Sequence, residues 1–361
     1  MRHVPAATCH AQILSILSAW DMEPEAMRIT AEVMVETDLS GVDSHGISML
    51  MDYDESRRNG RINLTARARV VRESPVTALV DAGAGLGHPA SVMAMDLAIA
   101  KAKAAGVGVV AVRNSHHFGA AGYYAAMAPK AGLVGMVTSA TRTIGVVPTG
   151  SAVPVLGTNP IAFAAPAARN RPFILDMATS TVAANKVRVY GLQGKPVPPG
   201  WVLDGQGEPV TDGNAGWEMI RGQTTGGLTP VGGTPEMRSH KGYGLGVMVH
   251  ILGGVLAGAS FSPIRVRTQR QQDPDDIGHF FMALDPTAFR EEGEFEQDMD
   301  AVIDILHAAP PADPSKPVLV AGDPEAASRE LRLRDGIPIA DGLAAQLRGV
   351  CDRAGVEWLL G

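Results

Sequence analysis

The chain has 361 residues, 45% of them hydrophobic, enough for a large core and for more than one structural unit. Its 31 basic and 38 acidic residues leave a formal charge of -7, which offers no basic face to a nucleic-acid backbone or an anionic membrane. Cys9 and Cys351 are the only cysteines, too few for a disulfide framework or a cysteine zinc site, and the opening MRHVPAATCHAQ lacks the apolar core of a signal peptide, so a cytoplasmic protein is expected.

Residues 6–40 read as two amphipathic helices, the second opening near Pro24 and ending before Gly41. From Val76 the texture becomes strand, turn, helix and strand (TALVDA, GAGLGHPASVMAMDLAIAKAKAAG, VGVVAV), the pattern of a crossover unit in an α/β sheet. A helical AAGYYAAMAPKAG follows, then strands LVGMVTSA, IAFAAP and FILDM, then a helix from about Thr179 to Tyr190. Residues 191–234 are rich in Gly and Pro and are expected to form a long loop with little regular structure. The run GYGLGVMVHILGGVLAGA carries His250 and six glycines behind Lys241, which predicts a buried helix and no membrane span. Strand HFFMALDP and the helical EFEQDMDAVIDILHAA and IADGLAAQLRGVCDRAGV complete the chain. The expected division is a helical part at residues 1–75, completed by about 287–361, and an α/β core at 76–286.

Gly83, Gly85 and Gly87 stand between a strand and a helix, where a dinucleotide fingerprint would lie. The spacing is GxGxG, however, with His88 at the third glycine position of GxGxxG, and the next strand ends in Val112 and Arg113 where an acidic residue for the ribose is usual. A tight turn needing positive φ is the better reading.

In RNSHHFGAAGYY the strand VGVVAV ends just before Asn114, so Ser115 to Gly119 lie at a strand's carboxyl edge, where open α/β sheets place ligands. Adjacent residues of an extended chain point to opposite sides, so His116 and His117 are poorly placed to share a metal and only one enters a given pocket. Gly119, Ala120 and Ala121 add a small-residue surface for a flat ring or a phosphate. In GVDSHGISML, Ser44 and His45 offer donor and acceptor beside a glycine, though Asp43 and Ser44 equally suit a helix stop. Thr158 and Asn159 open one strand and Asp176 closes another, each readable as a ligand contact or as a turn residue. In HKGYG, Lys241 adds a cation to a helix N-terminus, a combination suited to phosphate or simply a solvated lysine. VAGDPE reads as strand, glycine turn and acidic helix start.

Taken in order and spacing, SHG near residue 45, SHHFG near 117, LGTNPIAFAAP, DMATS, HKGYG and AGDPE resemble the malate/L-lactate dehydrogenase family, over nearly the whole chain. That family includes ureidoglycolate, sulfolactate and hydroxycarboxylate dehydrogenases and the piperideine-carboxylate and diketogulonate reductases. The resemblance implies a non-Rossmann nicotinamide-binding α/β fold of the L-sulfolactate dehydrogenase-like type, with a helical part built from N- and C-terminal segments, and a homodimer whose site lies near the subunit interface. It places the catalytic histidine of S-x-H-[FY]-G on His117, leaving His116 at the variable position, and assigns Ser44 and His45 to substrate and nicotinamide. Ala121, Thr158, Asn159, Asp176, Met177, Ala178, Lys241, Gly242, Gly322 and Asp323 fall on cofactor- or site-lining positions, and Thr141 on the substrate side. Many members read SHGxxR, but Met49 stands at the arginine position here. Arg142, at the end of LVGMVTSA, is the alternative fork for a substrate carboxylate or else a surface turn residue.

The implied reaction is hydride transfer between NAD or NADP and C2 of a small 2-hydroxy or 2-oxo acid, without a metal. His117 would move the hydroxyl proton, Ser44 and His45 would position the oxygen, and Asp176 would orient His45 or the carboxamide. An imine reductase acting on a cyclic 2-carboxylate and a catalytically silent nucleotide-binding homologue are the rival readings.

Overall fold

The structure, a computed structural model, describes residues 2–270 and 272–361. In chain order the elements are β1 (Arg2–Val4), α1 (Ala6–Ala19), α2 (Pro24–Leu39), α3 (Leu50–Arg58), β2 (Arg69–Glu73), β3 (Thr77–Asp81), α4 (Gly87–Ala105), β4 (Val107–Ser115), α5 (Ala121–Ala125), β5 (Val134–Ala140), β6 (Ile161–Ala165) and β7 (Phe173–Met177). There follow α6 (Ala184–Leu192), β8 (Val202–Leu203), α7 (Gly213–Gly222), β9 (Gly227–Leu228), α8 (His240–Val249), α9 (Ser262–Thr268), β10 (Ile277–Leu284), α10 (Glu294–His307), α11 (Asp323–Asp335), β11 (Ile337–Ile339) and α12 (Asp341–Ala354).

Seven strands form one mixed sheet in the order β2-β3-β4-β10-β5-β6-β7. Only β3 and β4 pair in parallel, joined by α4, and every other pair is antiparallel. A Rossmann sheet is parallel throughout its nucleotide-binding half, so this pairing separates the two folds. Ala90, Ala94, Ala98 and Ala102 recur every fourth residue of α4 and are all buried, and the backbone of β4 comes so close that a Cβ on Gly108 would lie 2.0 Å from the Ala98 oxygen.

The register fixes the working end of the sheet. Ile277 of β10 pairs with Ser115 of β4, and Gly278 pairs with Ala140 of β5. The carboxyl ends of β3, β4, β5 and β7 therefore share an edge with the start of β10 and of β6. A separate core joins α1, α2, α3 and α12 to the small β1–β11 pair through Ile13, Leu17, Met34, Leu50, Ile337 and Leu347.

Several elements depart from expectation. Residues 191–234 are not a bare loop: Asp212 caps α7 by accepting from the Ala215 N–H, and Val187, Val202, Ile220 and Leu228 make a small core of their own. Strand β2 is exposed along its length, so no apolar alternation announces it. The residues before Gly322 form no strand, although Gly322 does make a positive-φ turn into α11. The glycine-rich helix continues from α8 into a π-helical stretch, His250–Val255. No helix among the described residues is long and apolar enough to cross a membrane.

Candidate active site

The end of β4 carries the first part of the site. Gly83 has the expected positive φ, but so does Ala84, and Gly87 serves packing: a Cβ there would lie 2.5 Å from the His116 oxygen and 2.6 Å from the Phe118 Cβ. The Gly87 N–H donates to the His117 oxygen at 3.0 Å, so the glycine turn holds the backbone of the histidine segment.

His117 and His116 face different partners, as an extended segment dictates. Nδ1 of His117 lies 2.7 Å from the Tyr53 hydroxyl, and its ring centroid is 5.3 Å from that of His45. His45 in turn has its Nδ1 2.7 Å from the Ser44 hydroxyl. Both histidines thus have Nδ1 tied to a hydroxyl. Burial, together with neighbouring His45, His88, His116 and His279, drives the His117 imidazole well below its usual pKa, and burial lowers His45 as well. Both rings are neutral near pH 7.

Tyr53 is the residue that the motifs do not reveal. It sits on α3, a helix that follows the SHG segment, and it is fully buried between His88, His116 and His117, edge-on to the first two. Its phenol is pushed well above the ordinary range by burial, so it stays protonated. A protonated phenol both donates and accepts, which lets it serve Nδ1 of His117 with or without a proton there. The available signal was the spacing: Tyr53 lies eight residues after His45, beyond the motif.

His116 turns toward Asp275, two residues before β10, with Nε2 2.8 Å from Oδ2. Asp275 also lies 2.9 Å from Arg61 Nη2 and 3.0 Å from Arg142 Nε. His116 is accordingly buried against Asp275. Despite burial, the His116, Arg61 and Arg265 side chains hold the Asp275 carboxyl below its usual value.

On the other side of the edge, the Asp176 carboxylate accepts from the Gly122 N–H at 2.7 Å, and a Cβ on Gly122 would come within 2.9 Å of it. Asp176 does not orient His45; the hydrogen bond of His45 is to Ser44, its neighbour in sequence. The carboxylate is reachable by solvent but walled by protein, and that partial desolvation raises it to about 6. Asn159 is bonded within the fold: Oδ1 accepts from the Thr141 N–H and hydroxyl at 3.2 Å, and Nδ2 donates to the Gly246 oxygen at 2.9 Å. It braces the ends of β5 and β6, and the Thr141 hydroxyl proton goes to the same bond. Thr158 connects onward, since its oxygen accepts from Thr179 N–H, whose own oxygen accepts from Val231 N–H, against which Gly242 is packed. Lys241 is exposed in the first turn of α8, Ala121 is buried in α5, and Met177 at the end of β7 and Ala178 just after it are half-buried. Gly322 and Asp323 lie beside β7, where Gly322 touches Ile174 and Asp323 accepts from Val320 N–H and pairs with His307. The edge thus gathers two patches, one of imidazoles, a phenol and arginines, and one of glycines, threonines and a carboxylate. Among the described residues no group of three or more His, Cys, Asp or Glu is arranged to hold a metal ion.

A mixed sheet with half-buried, neutral histidines at one edge is the frame of an oxidoreductase here, because the comparisons with known proteins agree over the full length. The chain belongs to the malate/L-lactate dehydrogenase family, whose model matches residues 4–348. It is 38% identical to the malate dehydrogenase of Pyrococcus horikoshii over 99% of this chain and 96% of that one. The solved sulfolactate dehydrogenase of Methanocaldococcus jannaschii superimposes with a TM-score of 0.87 at 32% identity, covering 99% and 98% of the two chains. The delta1-piperideine-2-carboxylate reductase of Pseudomonas syringae gives a TM-score of 0.83 at 29% identity, covering 97% and 100%. The chain is thus an enzyme of a hydroxy-acid dehydrogenase family.

Proposed function

We propose that this enzyme transfers a hydride between the nicotinamide of NAD or NADP and C2 of a small 2-hydroxy or 2-oxo acid. The observation that carries this reading is the half-buried His117, held through Nδ1 by Tyr53 and set ring-to-ring with the Ser44–His45 pair. The residues opposite fit a nicotinamide nucleotide. Asp176 is an acceptor suited to a carboxamide N–H, Gly122 lets a flat group approach, and Lys241 at the start of α8 suits a phosphate. When bound, that cofactor supplies the hydride acceptor or donor, and the protein supplies position and proton.

His117 Nε2 takes the hydroxyl proton in oxidation and returns it in reduction. With its Nδ1–H donating to the Tyr53 oxygen, the ring keeps its Nε2 lone pair toward substrate. A bound carboxylate nearby raises the depressed pKa toward neutrality, where transfer works in both directions. Ser44 and His45 position the reacting oxygen. With Met49 at the usual arginine position, Arg142 holds the substrate carboxylate; its side chain is 38% exposed and only its Nε edge lies against Asp275.

The test is a panel of pyruvate, oxaloacetate, sulfopyruvate and delta1-piperideine-2-carboxylate, each with NADH and NADPH. Turnover of an oxo acid supports the proposal. Turnover of the cyclic imine alone would move the activity to that of the Pseudomonas syringae relative, and cofactor binding without any turnover would indicate a silent homologue. We also propose a homodimer, supported by the exposed Leu245, Ile251, Val255 and Leu256 along one helical stretch. Light scattering showing a fully active monomer would refute it. Cys9 and Cys351 are free and buried, which suits a cytoplasmic compartment.

A further inference from the structure

Asp275 is nearly inaccessible to solvent, yet three basic side chains from three different segments meet it: Arg61 from the loop after α3, His116 from the end of β4, and Arg142 from the end of β5. The β10 pairings with β4 and β5 explain why one residue reaches both strand ends. A buried carboxylate needs a single counter-charge, and Arg61, itself buried, supplies it. Arg142 is then a second guanidinium on a carboxylate already neutralised, so its charge remains available. A third arginine, Arg265, donates to the Arg142 backbone oxygen and faces Asp276, whose oxygens also take the Asn114 and Ser260 N–H groups.

We propose that Asp275 is a positioning residue for substrate recognition: it fixes the Nε edge of Arg142 so that both Nη groups present an end-on fork to the substrate carboxylate, doing the work of the arginine absent at position 49. The proposal rests on the reading of Arg142 as the carboxylate anchor. A guanidinium has two edges that can take an oxygen acid, and occupying one by a fixed carboxylate defines the direction of the other. A lysine cannot do this, since its ammonium has no plane to orient. His116 completes the brace on the second oxygen of Asp275, which gives the histidine next to the catalytic one a role in KM and none in proton transfer.

The experiment is steady-state kinetics with NADH and whichever of pyruvate or oxaloacetate turns over faster, together with calorimetric binding of oxamate in the presence of NADH. The variants are Asp275→Asn, Arg142→Met and the two combined. Asp275→Asn is expected to raise KM and the oxamate Kd about 10- to 100-fold with kcat within a few-fold, Arg142→Met to do the same, and the double variant to be no worse than Arg142→Met alone. Because Asp275→Asn leaves Arg61 buried without its counter-charge, Arg61→Met with Asp275→Asn removes both charges and keeps the measurement possible if the single variant does not fold; it too is expected to show the KM loss. An unchanged KM in a folded Asp275 variant while Arg142→Met raises it, or effects that multiply in the double variant, overturns the positioning role and leaves Arg142 as anchor. An unchanged KM in Arg142→Met overturns the anchor itself and the role of Asp275 with it.

Discussion

Tyr53→Phe isolates one interaction of the proposed mechanism. The change removes a single oxygen from a fully buried ring and keeps the edge-on packing against His88 and His116 at centroid distances of 5.8 and 6.1 Å. Stability should fall by no more than about 1.5 kcal/mol, the net worth of one hydrogen bond, and the fold should persist. The kinetic effect should be larger than that modest figure suggests for an ordinary contact. Without the phenol, Nδ1 of His117 keeps only the Gly119 N–H at 3.4 Å, a contact that favours the tautomer with the proton on Nε2, the wrong one for a base. Losing about 1.5 to 2 kcal/mol of preference for the working tautomer and for the imidazolium lowers kcat roughly 10- to 30-fold, at about 1.4 kcal/mol per decade. The imidazolium also loses an acceptor, so the already depressed His117 pKa drops further, and the pH above which reduction slows moves to lower pH. The assay is kcat and kcat/KM in both directions across pH 5 to 9, with the melting temperature as a control. A kcat within twofold of wild type and an unmoved pH profile would refute the assignment of Tyr53.

His117→Ala should cost about 10²- to 10⁴-fold in kcat while NADH affinity, measured by fluorescence titration, changes little. Gly122→Ala should weaken NADH binding more than it weakens oxamate binding in the ternary complex, because the added Cβ sits 2.9 Å from Asp176; equal loss of both would mean a general disturbance. His88 is wholly buried, neither ring nitrogen has a hydrogen-bond partner among the described residues, and burial with nearby His116 and His279 lowers its pKa to about 3. A histidine depressed in the folded state contributes stability that is fully present above its unfolded pKa near 6.5 and is lost as pH falls toward 3. Taking those two values, going from pH 7 to 5 costs about 2 kcal/mol for this residue. His88→Leu should therefore shrink the acid-side loss seen in urea titrations at pH 7 and 5 by about that amount, and an unchanged difference would count against the assignment.

The local rules of the chain determined most of the elements. Apolar runs marked β4, β5, β6 and β10, the alanine spacing marked α4, and the missing third glycine with Arg113 after it argued correctly against a Rossmann sheet. Elements without such a signature stayed hidden: β2 has no buried face, β1 and β11 are three residues each and stabilise one another only across 333 or more positions, and α3 follows the SHG segment with few apolar residues. The same division runs through the site. The end of a strand is legible in sequence and placed the SHHFG segment at the sheet edge, the family resemblance chose His117 over His116, and Ser44 and His45 are bonded to each other as neighbours. Tyr53 and Asp275 could not be read this way, since each acquires its partner through contacts 64 to 214 residues apart. Asn159 shows the converse. Its place at a strand start suggested a ligand contact or a turn, and its side chain also ties Thr141 to Gly246, a role that only the packing of β5 against β6 and α8 creates. A residue's type sets what its side chain can bond to, and the tertiary fold decides how much of that capacity is left over for a substrate.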